Sequence, residues 1–436
     1  MTVQTGAGPA LDDDLTARLG VLRAVRGPVI PDFRARVQEL VVVASSSRGG
    51  SSMVAETLRA CRSLIHLRAE INPFLRLAGL ASVNDSDQLT AADFWSLSDQ
   101  ERADLAADLA LDAGCASSTV ESDERFALDV AWRFVVQWPE LAVDPLLVAR
   151  TAAAELAACR VPGGGHDNAR FQLRLLDALA RQGVTVNPRF YDLPRAALRG
   201  LGFPAPSGAP GRQLIEEPPF VLTKPWHWAD AADVSTKPLV IKSPSNAYRM
   251  SFLRALFPQA RIRVLHIIRN PGAAINGLYD GWQYGGFHAH RMSPPLQIGG
   301  YDDSEWWKFD LPPGWRDYTD APLLRVCAFQ WLSAHRAVLA DAAANRRDRL
   351  VVRFEDLLRN PLSRVAAFER IAGWLGVPFD AEFQRTVAAG IEPVVATAPP
   401  GPNRWRARQQ AITEAMRSDV MAMAHQLDYG DVDSWI

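Results

Sequence analysis

The stretch SSSRGGSS (Ser45–Ser52) sets five serines, two glycines and one arginine between a run of valines and a helix-forming sequence. A buried core has no use for that composition, but an anion does. Where a strand hands over to a helix, free backbone N–H groups and the positive end of the helix dipole face one point. Gly49 and Gly50 allow close backbone approach and positive φ. Ser51 and Ser52 add hydroxyl donors and suit a helix cap, while Arg48 adds a forked, permanently charged group. The competing reading is a capped helix on a tight turn with a solvent-facing arginine. GxxxxGK[ST] is absent and the loop holds no lysine, so the signature is for a phosphate-like anion rather than for ATP.

Other short segments follow in order: VIKSPSN (Val240–Asn246), VLHIIRNPGAAING (Val264–Gly277), VVRFEDLLRNP (Val351–Pro361) and GPNRWRARQ (Gly401–Gln409). With the loop, they resemble the sulfotransferases that use 3′-phosphoadenosine 5′-phosphosulfate (PAPS). The style is that of a bacterial member, nearest the carbohydrate and protein-tyrosine branches. In that family the loop reads Lys or Arg, Ser, Gly, Thr, Thr; Arg48, Gly49, Gly50, Ser51 and Ser52 occupy those positions. The resemblance covers about residues 39 to 410 but not the long insertion within them.

The resemblance implies a P-loop-type α/β fold, PAPS as co-substrate, 3′,5′-ADP as product, and a small-molecule, lipid or glycan hydroxyl as acceptor. It implies that Lys242 lies near the sulfuryl group, that Arg269 binds the 3′-phosphate, and that Arg404 and Trp405 close over the nucleotide. A family serine eight residues after that arginine is replaced by Gly277, so Asn276 or a backbone N–H is expected in its place. Glu70 matches the glutamate that acts as catalytic base in the carbohydrate and tyrosine branches. A surface carboxylate or a partner for Arg68 is the plainer reading of Glu70. His66 is the rival base, held lower because Ile65 and Leu67 suggest a strand interior; His266 reads as packed for the same reason. The phenol-branch histidine would fall near Pro244–Asn246, where there is none. Sulfuryl transfer needs positive potential at the leaving oxygen and a group to take the acceptor's proton, which Arg48, Lys242 and Glu70 would supply. This chemistry requires no metal.

Four apolar runs would position these residues: Glu39–Ser45, Pro238–Lys242, Ile262–Ile268 and Arg349–Phe354. Continuous Val/Ile/Leu runs separated by helical patterns predict strands buried on both faces of a parallel sheet flanked by helices. Residues 1–36 read as a flexible lead-in and 37–436 as one domain. An Ala/Leu-rich helical insertion is expected at about 75–237. The irregular stretch 279–318 holds ten aromatic residues, against 9% of the whole chain, and reads as a lid or acceptor wall or as an anchored loop. Trp226 and Trp228 are candidates for the same pocket. His288 and His290 read as a solvent-facing pair rather than a metal site.

The 436 residues carry a net charge of −2, which offers no electrostatic case for nucleic acid. No apolar run is long enough for a membrane span, and the first residues lack signal-peptide order. The four cysteines have no CxxC or metal spacing and read as reduced thiols in a cytoplasmic protein. A P-loop small-molecule kinase and a non-catalytic nucleotide-binding protein are the alternatives.

Overall fold

The computed structural model describes residues 4–5, 13–27, 29–81, 83–161, 165–344, 348–390, 397, 401 and 403–435. Its centre is a seven-stranded sheet whose strands are, in chain order, β1 (Glu39–Ala44), β2 (Ile65–His66), β3 (Gly114–Ala116), β4 (Trp226–Trp228), β5 (Leu239–Lys242), β6 (Arg261–Ile268) and β7 (Arg349–Arg353). They lie in the order β7-β6-β1-β5-β2-β3-β4. The first five positions are mutually parallel, with Val42 beside both Ile241 and Val264. β3 and β4 run antiparallel at one edge.

Period-two alternation in β1 splits its side chains between two cores. Leu40, Val42 and Ala44 join Leu239, Ile241, Ile262 and Val264 on one face, under the insertion and the helix Met250–Leu256. Val41 and Val43 join Val240, Leu265 and Ile267 on the other, under helices Ser51–Leu58, Pro361–Leu375 and Ala381–Ala389. Both faces are covered, as the unbroken apolar runs require. The four expected strands stand within one residue of their expected bounds.

The insertion does supply long helices, among them Asp99–Asp112, Asp123–Gln137 and Pro145–Cys159. It also supplies β3 and β4, which helical composition did not announce: GCA and WHW are too short to show a period. The lead-in differs too. Asp13–Val25 is a helix that buries Leu15, Leu19 and Leu22, and Arg26 pairs with buried Asp129 at 2.9 Å. That i, i+4, i+7 stripe outweighs the flanking Gly, Pro and Asp residues.

No helix among the described residues is long and apolar enough to cross a membrane. Cys61, Cys115, Cys159 and Cys327 are buried and unpaired.

Candidate functional site

β1, β5 and β6 all end at the same side of the sheet, so the segments after Ala44, Lys242 and Ile268 meet there. In open α/β sheets this rim, outside the carboxyl ends of the strands, is where ligands bind. The loop after β1 turns through Arg48 (φ +60°) and Gly50 (φ +100°) into the helix Ser51–Leu58. Gly50 is the N-cap, and Ser51 and Ser52 are the first helical residues, so they do not cap the helix as expected. Their early position leaves first-turn N–H groups without an intrahelical acceptor.

Both glycines are sterically required. A Cβ on Gly49 would lie 2.0 Å from Ser45 Oγ, and one on Gly50 would lie 2.1 Å from the Phe354 ring. Gly50→Ala is therefore expected to destabilise the fold by at least about 1–3 kcal/mol from backbone strain alone. Phe354→Leu in the same chain should recover part of that loss in a melting experiment. A Gly50→Ala melting point equal to that of the parent would refute the steric account. Beneath the turn, the Ser45 and Ser46 hydroxyls are buried and have no hydrogen-bond partner among the described residues.

Arg269 begins the turn after β6 and donates to the carbonyl of Arg48 at 3.0 Å. Burial, and then the neighbouring Arg269, push the Arg48 guanidinium down to about 10, so it stays charged at neutral pH. Asn270 caps the helix Pro271–Trp282 by accepting from Ala273 N–H at 2.8 Å. Its own N–H and side-chain amide donate to Glu355 at 2.8 and 2.9 Å. The RFEDL turn thus fastens both turns, with Phe354 against Gly50 and Glu355 against Asn270.

Gly277 faces this contact. A Cβ there would lie 3.3 Å from Arg48 Cβ and 3.9 Å from Arg269 Nη1, so glycine leaves room for Arg48 where a serine would press on it. Asn276 accepts from Arg408 at 2.6 Å and donates to Asp280 at 3.3 Å. Asp280 also pairs with Arg404 at 2.7 Å and Arg408 at 2.9 Å. Sequence reasoning passed over Asp280 and Arg408, although Arg408 stands in the quoted C-terminal segment. Trp405 is buried against Gly272 and within 5.8 Å of the Trp435 ring, so it anchors the segment that presents Arg404 and Arg408.

Glu70 and Lys242, 172 residues apart, form an ion pair between Glu70 Oε1 and Lys242 Nζ. Asn72 Nδ2 donates to Glu70 Oε2 at 3.2 Å. Arg68 pairs instead with Asp129 and Asp112, so the plainer reading of Glu70 as its partner does not hold. His66 is buried within β2, and desolvation followed by Arg59 drives it well below the usual histidine range. Buried His266 meets His335 at 2.9 Å and is lowered by desolvation and by that neighbour.

The aromatic stretch divides into two parts. Trp282, Tyr301, Trp307 and Trp315 are buried in a core with the helix Leu323–Ala344, the Trp282–Trp307 centroids 5.2 Å apart, while buried Trp306 packs on His288. Phe287, packed 5.0 Å from Phe309 and 5.3 Å from Tyr284, lies 5.6 Å from the Arg48 guanidinium and forms a wall beside the loop. His288 is buried and His290 lies 3.6 Å from Asp87, so the pair is not solvent-facing. Trp226 and Trp228 stand in edge strand β4, their indoles donating to Asp112 O and Asp129 Oδ2 at 3.2 and 2.8 Å. They hold the insertion to the sheet.

The sequence did not single out Asp310. It is buried, and its carboxylate accepts from Ser47 Oγ and, at 2.8 Å, from Tyr248 Oη. No signal foretold this, because the three residues come from separate segments. Burial pushes the Asp310 carboxyl up to about 6 from its ordinary 3.8. The folded chain therefore holds this proton more tightly than the unfolded one does. The resulting stability is present below about pH 4 and is lost as pH rises through 6. At 1.36 kcal/mol per pK unit, the charged form costs about 3 kcal/mol at neutral pH. Asp310→Asn should raise the melting point at pH 8, with the gap to the parent closing at pH 5. An equal gap at both values would show that the charge is compensated.

No protein-family model and no curated protein matches the chain. Among solved structures, the sulfotransferase domain from the curacin biosynthetic pathway is 12% identical with a TM-score of 0.38, over 91% of this chain and 99% of that one. The sulfotransferase domain from the Synechococcus PCC 7002 olefin synthase is 14% identical with a TM-score of 0.38, over 90% and 95%. A sulfotransferase from Mycobacterium avium is also 14% identical with a TM-score of 0.38, over 96% and 84%.

Proposed function

We propose that the chain is a PAPS-dependent sulfotransferase that moves a sulfuryl group to a hydroxyl acceptor and releases 3′,5′-ADP. One observation carries the reading. At the carboxyl ends of β1, β5 and β6, an arginine-bearing anion loop stands against a second arginine segment, and the Lys242–Glu70 pair joins β5 to the segment after β2. The residues fit a nucleotide with phosphates at both ends. Two hydroxyls without a partner among the described residues and first-turn amides lie at the loop, with Arg269 beside it near Glu355, and Arg404 and Arg408 lie beyond, both paired with Asp280.

In this reading Arg48, the loop amides and Lys242 hold the sulfuryl end and stabilise the charge that grows on the leaving oxygen. Glu70 accepts the proton of the attacking hydroxyl. Arg269 takes the 3′-phosphate, and Phe287 walls the loop. The acceptor is a hydroxyl of a small molecule, lipid or glycan.

Incubating the protein with sulfur-labelled PAPS and an extract of the producing cell tests the reading. A labelled organic product is the expected result. Absence of any product, together with calorimetric binding of ATP at least equal to that of 3′-phosphoadenosine 5′-phosphate, would overturn it in favour of a kinase. Tight bisphosphate binding with no turnover would leave a non-catalytic binder.

A further inference from the structure

The Glu70 carboxylate is held by more than its lysine. Asn72 begins the helix Asn72–Leu77, and its side chain is buried. Asn72 Oδ1 accepts from Arg249 Nη1 at 2.6 Å and from Ser243 Oγ at 3.2 Å. Arg249 is itself clamped, donating through Nε to Asp87 O at 2.9 Å and through Nη2 to Asp87 Oδ1 at 3.3 Å. A guanidinium has donors only, so the amide of Asn72 has one acceptable orientation: oxygen toward Arg249, NH₂ toward Glu70. That NH₂ is what reaches Glu70 Oε2 at 3.2 Å.

We propose that Asn72 is a positioning residue for Glu70, its amide locked by Arg249 and Ser243 so that the carboxylate keeps one plane facing the acceptor side. Lys242 holds Oε1 from the end of β5, and Asn72 holds Oε2 from the helix start. Each carboxylate oxygen has room for a second hydrogen bond, which leaves a site for an acceptor hydroxyl. Proton transfer depends on such geometry before it depends on basicity. The proposal rests on the reading of Glu70 as the base. The charged groups are Lys242 directly on Glu70 and Arg249 behind Asn72, with Asp87 and the Arg76–Glu217 pair around Arg249.

The test is a carboxyl ¹³C NMR titration of the full chain labelled at glutamate Cδ, with Glu70→Gln identifying the Glu70 resonance. Asn72→Asp keeps the oxygen that Arg249 needs but sets a second carboxylate against Oε2. The Glu70 resonance should then titrate at least about one pH unit higher, since two adjacent carboxylates cannot both ionise freely. Asn72→Ala removes a donor and should move the titration in the same direction by less. Affinity for 3′-phosphoadenosine 5′-phosphate should stay within about twofold in both variants, which also reports an intact fold. A Glu70 resonance that titrates in place in both variants overturns the proposal. A bisphosphate affinity that collapses in both makes Asn72 a structural residue and overturns it as well. Release of labelled sulfate from PAPS by Glu70→Gln separates the two readings. Full rate removes Glu70 as base and the proposal with it, whereas a low rate with an unmoved titration removes Asn72 alone.

Discussion

On the proposed reading, Arg269→Ala should weaken binding of 3′-phosphoadenosine 5′-phosphate by about 2–5 kcal/mol, the usual cost of removing one partner of a desolvated charge pair. That is roughly 30- to 5,000-fold. Adenosine 5′-phosphate, which lacks the 3′-phosphate, should lose at least tenfold less affinity. Arg269 sits at the turn where β6 ends, held over the Phe354 ring at 5.1 Å, its guanidinium pKa lowered by burial. Its Nη1 also supports the Arg48 carbonyl at 3.0 Å, so some loss for both ligands is expected through the loop. This coupling means that the two arginines are not independent phosphate clamps, as opposite placement on the nucleotide would suggest. Calorimetry with the two nucleotides decides the matter. Equal losses for both would mean that Arg269 serves the loop alone and that the 3′-phosphate is held by Arg404 and Arg408, if anywhere.

Glu70→Gln should lower sulfuryl transfer to an aliphatic alcohol by roughly 10²–10⁴-fold, the range contributed by a positioned proton acceptor. Glutamine keeps the shape but has one acceptor oxygen for two donors, Asn72 Nδ2 and Lys242 Nζ, so it loses the ion pair and one of the two hydrogen bonds. Bisphosphate affinity should hold, because the donor loop and Arg269 are untouched. A phenolic acceptor, which gives up its proton more readily, should show a smaller loss than an alcohol. Near-full rate on a verified alcohol would pass the base role to another residue. His66 is a poor successor: it is buried in β2, its Nε2 has no partner among the described residues, and its basicity is suppressed by desolvation.

Much of the site was legible because its parts are local. The valine run of β1, the turn residues after it and the strand-to-lysine segment each declare themselves within a few residues. Their meeting follows from the topology of a parallel sheet, whose strands present their carboxyl ends on one side. Glu70 was reached by resemblance, and its ion pair with Lys242 then came from the fold. The aromatic stretch was ambiguous for a physical reason. Indole rings that line a pocket and indole rings that anchor a loop have the same composition, and only burial separates Trp307 from Phe287.

By itself, then, the chain's sequence determined four buried strands, the glycine- and serine-rich turn of Ser45–Ser52 at the end of the first, and the order of the segments gathered around it. Hydrophobic period and turn chemistry act over short distances and need no partner to be read. Tertiary structure alone decided which charges meet. Asp280 with Arg404 and Arg408, Asn72 with Arg249, and Ser47 with Asp310 are separated by 124, 128, 177 and 263 residues. It also decided that β3 and β4 continue the sheet and that the helix Asp13–Val25 packs onto the insertion helices, Arg26 meeting Asp129 across 103 residues. A buried charge takes whichever counter-charge the packing brings within reach, and over such separations no local pattern names the partner.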